Sequence, residues 1–116
     1  NDPNLPLAYN NRGIAKQNSG DLQGAIADYN KAIENDPNLP LAYNNRGLAK
    51  QNSGDLQGAI ADYTKAIEIN PQYAGAYYNR GNATGISGDY EGACSDMKLA
   101  ANLGYEDATE VARTQC

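Results

Sequence analysis

Three arginine–aspartate couples recur along this chain of 116 residues. Arg12 precedes Asp28, Arg46 precedes Asp62 and Arg80 precedes Asp96, each time by the same offset. A guanidinium and a carboxylate can meet as a bidentate pair, which either braces a fold or holds a ligand group. Asn11, Asn45 and Asn79 recur at one fixed interval. A side-chain amide carries two N–H donors and an acceptor oxygen, so each can grip the C=O and N–H of a peptide at once. There are two cysteines, Cys94 and Cys116, and no histidine to act as a base for either. The carboxylates able to move protons are spread at repeat intervals, and Asp21, Asp55 and Asp89 are better read as helix caps. Neither a metal-ligand spacing nor a glycine-rich phosphate loop appears. No metal and no cofactor is expected, and the chain is read as a non-enzyme.

These spacings come from a repeat. Residues 1–34 and 35–68 differ only at Ile14 against Leu48 and at Asn30 against Thr64. A looser third copy, from Ile69 to Asn102, keeps fewer than half of the second copy's residues. A fixed period of this length marks a stack of helical units, and three is close to the minimum for a stable stack. Each unit touches only its neighbours, and the stack presents an extended surface suited to binding.

Within the second copy, Ala42, Tyr43, Arg46, Gly47, Ala49 and Lys50 recur at helical spacing, and so do Leu56, Ala59, Ile60, Tyr63, Ala66 and Ile67. Ser53-Gly54-Asp55 reads as the turn between two helices, with Asp55 capping the second. Pro37 ends the preceding helix, and Pro40 fits a first turn. The unit is therefore an antiparallel helical hairpin. Gly47 and Ala59 mark close backbone approach, and Ala66 leaves room for the next unit. Tyr43 and Tyr63 are the large fillers, whose buried hydroxyls need partners. Across such a hairpin, the constant offset brings each Arg to its Asp. Bracing of the hairpin is the favoured role for these pairs, with ligand contact as the alternative.

The units resemble the tetratricopeptide repeat, whose pattern is aromatic, Gly, Ala, aromatic, Ala, Pro over about 34 residues. It reads Tyr9, Gly13, Ala25, Tyr29, Ala32, Pro37 in the first copy and Tyr43, Gly47, Ala59, Tyr63, Ala66, Pro71 in the second. The third gives Tyr77, Gly81, Ala93, Met97, Ala100, with Tyr105 in place of Pro. Arg12, Arg46 and Arg80 depart from a consensus Leu, and Lys16 and Lys50 from a consensus aromatic. The resemblance implies an all-α fold: a right-handed α-solenoid of three antiparallel helix–turn–helix repeats with a C-terminal capping helix. The division is 1–5 as the remnant of a preceding linker, then repeats at 6–39, 40–73 and 74–104, and a cap at 105–116. The opening residues repeat as the linker at 35–39, which reads as an excised fragment of a longer array.

In such arrays the first helices line a concave groove where ligands bind. The matching positions are Leu7, Asn10, Asn11, Ile14, Gln17 and Asn18 in the first repeat. Leu41, Asn44, Asn45, Leu48, Gln51 and Asn52 follow in the second, and Gly75, Tyr78, Asn79, Asn82, Gly85 and Ile86 in the third. None is charged. The carboxylate clamp for heat-shock chaperone tails would fall on Asn10, Ile14, Asn45, Gly75 and Asn79, and only Asn45 fits. No carboxylate-clamp chaperone binding is expected on that ground. Asn11, Asn45 and Asn79 are similar to the asparagine ladder of an O-linked sugar transferase's repeat domain and of armadillo arrays. Repeats about 10 Å apart and a peptide rising about 3.3 Å per residue would put one Asn at about every third peptide group. Solvated amides capping local backbone are the other reading. Selectivity would fall to Ile14, Leu48 and Tyr78, and the groove changes character in the third repeat.

After Asn102 the period breaks. Leu103-Gly104 reads as a helix stop, and residues 106–115 as a cap with Ala108, Val111 and Ala112 inward and Glu106, Asp107, Glu110 and Arg113 outward. Cys94 stands where the other copies have Ile26 and Ile60, so it reads as a small buried hydrophobe. A cap antiparallel to the helix of Cys94 would also place Cys116 within bridging reach. Both readings stand. A bridge would favour an extracytoplasmic, oxidising compartment, and the localisation is otherwise open.

The net charge of −5 argues against nucleic acid and anionic membrane surfaces as partners. No apolar run spans a bilayer and no signal peptide is visible. The leading functional reading is a protein–protein interaction scaffold holding an extended peptide or a partner helix. The alternative is a structural module that self-assembles by stacking or by exchanging identical hairpins.

Overall fold

A computed structural model describes residues 4–116 and shows seven helices among them. These are α1 (Leu5–Asn18), α2 (Leu22–Asn35), α3 (Pro40–Asn52), α4 (Leu56–Ile69), α5 (Ala74–Ile86), α6 (Tyr90–Asn102) and α7 (Glu106–Gln115). No strand occurs among the described residues. α1 packs on α2, α3 on α4 and α5 on α6, and α2 meets α3, α4 meets α5 and α6 meets α7. The first helices α1, α3 and α5 also touch in sequence. The result is an all-α solenoid measuring 45 × 26 × 20 Å.

Local chemistry sets each hairpin. Asp21, Asp55 and Asp89 accept hydrogen bonds of 2.9 Å from the backbone N–H of Gly24, Gly58 and Gly92, satisfying donors that a helix start leaves open. Gly54 turns the chain between α3 and α4 at φ +98°, a conformation other residues rarely adopt. Gly47 lets α3 lie against Tyr63, since a Cβ there would sit 2.7 Å from a ring carbon.

The core is built mostly of alanine and tyrosine. Tyr29 and Ala25 pack with Ala49 of the next repeat, and Tyr63 and Ala59 pack with Ala83. The last joint has Met97 and Ala100 against Ala108 of α7. Small residues bring the helices close, and each ring spans a joint, so burial stabilises neighbours together rather than a single centre.

The expected linker remnant at 1–5 needs correction at its end. Residues 1–3 lie outside the described residues, but Leu5 is already helical. Its counterpart Leu39 is held extended at φ −101° and ψ 92° by the connection back to α2. Leu5 instead follows Asn4, whose φ of −92° and ψ of −3° are already those of a right-handed helix, and α1 starts one residue earlier than α3.

Candidate functional site

The side-by-side first helices are joined by amides. Asn45 Nδ2 donates to Asn10 Oδ1 at 3.0 Å, and Asn79 Nδ2 donates to Asn44 Oδ1 at 3.1 Å. Each bond crosses from one repeat to the next. Asn10 is fully buried and Asn44 is 8% exposed. Their expected exposure on an open groove is corrected: the amide of the following repeat bonds to each of them, and both are buried. Asn11 is exposed, and Asn45 and Asn79 are half-buried, so these amides keep hydrogen-bonding capacity toward the outside.

The two acceptors are not equivalent. The Tyr73 hydroxyl lies near the Asn44 amide; burial raises that phenol's pKa, and the amide pulls against the rise. The residue at the corresponding position of the first repeat is Leu39, which has no hydroxyl. Asn10 Nδ2 is accordingly buried with no hydrogen-bond partner.

Other expected groove residues are tied into the scaffold. Gln17 accepts from the Tyr29 hydroxyl at 2.7 Å, and Gln51 from the Tyr63 hydroxyl at 2.8 Å. Burial pushes the Tyr29 phenol up to about 12 and the Tyr63 phenol higher still. Ile14 packs partly against the Tyr29 cluster, and Leu48 is half-buried. Tyr78 stacks on Tyr105, with ring centroids 4.6 Å apart, which turns this side chain toward the cap. Asn82 is exposed, as are Leu7 at 43% and Leu41 at 37%.

The arginine–aspartate couples close as bidentate pairs. Nε and Nη2 of Arg12, Arg46 and Arg80 donate to the two oxygens of Asp28, Asp62 and Asp96 at 2.7–2.8 Å. All three aspartates are buried. The hydrogen bond from Arg12 holds the Asp28 carboxyl below its ordinary range, against the opposing effect of burial. The hydrogen bonds to the aspartates raise the three guanidinium pKa values in turn. These pairs join the two helices of one hairpin.

Sequence reasoning missed several partners. Lys16 and Lys50 reach Asp28 and Asp62 at 3.1 and 3.2 Å, making three-membered charge clusters. The signal was available, since each Lys lies one helical turn beyond its Arg. Arg46 Nη1 also donates to Asn30 at 2.9 Å, and Arg80 Nη1 to Thr64 at 3.3 Å. One of the two differences between the near-identical copies therefore supplies the acceptor for the arginine of the next repeat.

Cys94 and Cys116 form a disulfide, with sulfurs 2.07 Å apart, that ties the end of α7 to α6. Beside it, a cavity of about 400 Å³ opens between α5, α6 and α7.

The stacked hairpins with amide-linked first helices define a helical-repeat protein whose surface follows its repeat order. The sequence pattern described as the TPR repeat matches residues 18–54 and 52–85. The chain belongs to the tetratricopeptide repeat family. Two solved structures are similar across most of their length. The first TPR domain of Spaghetti (RPAP3), bound to the HSP90 peptide SRMEEVD, superposes with TM-score 0.91 at 27% identity, covering 97% of this chain and 90% of that one. The second TPR domain of the same protein, bound to the same peptide, gives TM-score 0.83 at 26% identity, covering 85% and 92%. No curated protein matches the chain.

Those structures overturn the exclusion of chaperone tails from the partners. The exclusion compared side chains at Asn10, Ile14, Asn45, Gly75 and Asn79, yet two like folds hold such a peptide. The physical flaw lies in the comparison. Asn10 is buried beneath Asn45 and says nothing of the groove surface. Amide N–H groups also donate to carboxylates, so an uncharged position is not a closed one.

Proposed function

We propose that this chain is a non-catalytic interaction module that holds an extended peptide against α1, α3 and α5. The units are 6–39, 40–73 and 74–104, closed by 105–116. The observation carrying this reading is the placement of Asn45 and Asn79. Each spends one N–H on the repeat before it and is half-buried there, which restrains its rotamer while leaving the other N–H and the oxygen uncommitted. A preorganised amide loses little entropy when it takes up a peptide group. The two peptide-bound relatives of like fold support the same reading, and an acidic C-terminal tail belongs among its partners. The bridge to Cys116 fits an oxidising compartment.

Calorimetric titration with SRMEEVD tests this. Saturable binding that weakens about tenfold in Asn45→Ala or Asn79→Ala is expected, a loss of about 1.4 kcal/mol. Unchanged affinity in both variants would reject the role of the amides.

A second reading, self-assembly, has one observation in its favour. Ala42 and Ala49 are fully buried under the preceding hairpin, whereas their counterparts Ala8 and Ala15 are exposed. That face of α1 has the chemistry to accept another hairpin of the same kind. Light scattering across concentrations separates the two readings, since only assembly increases the mass.

A further inference from the structure

The third repeat differs from the second most coherently around the cavity between α5, α6 and α7. In the first two repeats, a phenol and a glutamine amide fill the matching place and bond to each other. Here Met97 replaces that tyrosine and Gly85 replaces that glutamine, so both partners are gone together. The mouth changes in the same direction. Ile86 stands where Asn52 does and is 68% exposed, and Tyr90 stands where Leu56 does and is 74% exposed. Val111, Gln115 and the disulfide supply the far wall. No charged side chain lines the cavity. Asn82 and Gln115 are the amides at its edge, each able to accept or donate one hydrogen bond.

A volume of 400 Å³ lies within the range of sites for small ligands, about 300–1,000 Å³. Exposed large apolar side chains at the rim of a cavity free of charged side chains mark a contact surface rather than ordinary exterior. We infer that this cavity is a binding site for one bulky, uncharged apolar group, an aromatic ring or a branched aliphatic chain, flanked by a polar amide that Asn82 or Gln115 recognises. The site goes beyond the amide-lined groove and stands whether or not a peptide occupies that groove.

The test is an amide-resolved NMR titration of the oxidised chain. The probes are N-acetyl-phenylalaninamide, N-acetyl-aspartamide and a pentapeptide with one phenylalanine between glycines. Saturable shifts confined to Gly81, Asn82, Gly85, Val111 and Gln115 are expected with the phenylalanine probes and not with the charged one. Gly85→Leu should weaken them about tenfold. A Cβ at Gly85 would meet only the Ala93 methyl, at 3.5 Å, an ordinary contact, so the backbone tolerates a side chain that projects from there. Replacing a helical glycine also favours the helix by about 1 kcal/mol, so lost binding would not reflect unfolding. Gly85→Gln, which restores the residue of the other repeats, should act in the same direction. A pentapeptide that binds more tightly than the amide, and loses that advantage in Asn79→Ala, assigns the group to a peptide side chain. Equal affinities assign it to a free small molecule. Absence of saturation, equal response to the charged probe, or binding unchanged in both Gly85 variants would overturn the inference.

Discussion

Replacing Leu39 with tyrosine should strengthen the first joint of the stack. Asn10 Nδ2 is buried there without a partner, whereas one joint later the Tyr73 hydroxyl lies near the Asn44 amide. Leu39 and Tyr73 occupy the same place in successive repeats. An unsatisfied buried donor costs about 1–3 kcal/mol, and supplying its acceptor should recover about 1–2 kcal/mol of this. A new ring also buries apolar surface, so the hydroxyl must be isolated. Leu39→Phe adds the ring alone, and the difference between Leu39→Tyr and Leu39→Phe reports the hydrogen bond. Urea unfolding followed by helical circular dichroism gives that difference, with the tyrosine variant expected to be about 1–2 kcal/mol more stable. Adding Asn10→Leu should abolish the advantage. The converse substitution, Tyr73→Phe, should cost a similar amount at the second joint. Equal stability of the two Leu39 variants together with a neutral Tyr73→Phe would refute the account.

Asp62→Ala strips the shared carboxylate from Arg46 and Lys50, and with both cations partly hydrated it should cost about 2–3 kcal/mol in the same unfolding assay. Asp28→Ala should cost less, because Arg12 is 57% exposed and water replaces its partner. Because the Asp28 pKa is depressed on folding, its contribution is present above the ordinary carboxylate value near about 4 and is lost as pH falls through the lowered value. Melting temperature should therefore drop on acidification below that value, and the drop should be smaller in Asp28→Asn. Tyr29 behaves in the opposite sense. Its raised value of about 12 leaves its contribution intact below the unfolded value near about 10, and lost as pH rises from there through the folded value. Tyrosinate absorbance should show Tyr29 and Tyr63 ionising last, and their loss in Tyr29→Phe and Tyr63→Phe checks the assignment. Cys116→Ser opens a disulfide that spans 22 residues and should cost about 3 kcal/mol, read as faster hydrogen exchange confined to α7.

The repeat period, the turn glycines and the capping aspartates were legible because each acts within one hairpin, over a few residues or along one helix face. The offset between Arg46 and Asp62 belongs to the same class, since a hairpin of known length sets which side chains meet. The two cysteines lay at the edge of legibility, as their approach depends on where a capping helix docks. What stayed hidden was the contact between repeats. Asn10 and Asn11 are adjacent in the chain and alike in chemistry, yet one is buried under Asn45 and the other is exposed.

The sequence by itself determined a stack of helical hairpins, because side-chain periodicity and turn chemistry are local. Only the tertiary structure decided which amide of each pair is buried between repeats. It likewise decided that Tyr78 leans on Tyr105 and that the loss of a tyrosine and a glutamine opens a cavity beside the disulfide. Those outcomes depend on the rotation and spacing of one hairpin against the next. A difference of one helical position, about 100° around the axis, moves a side chain from groove to interior.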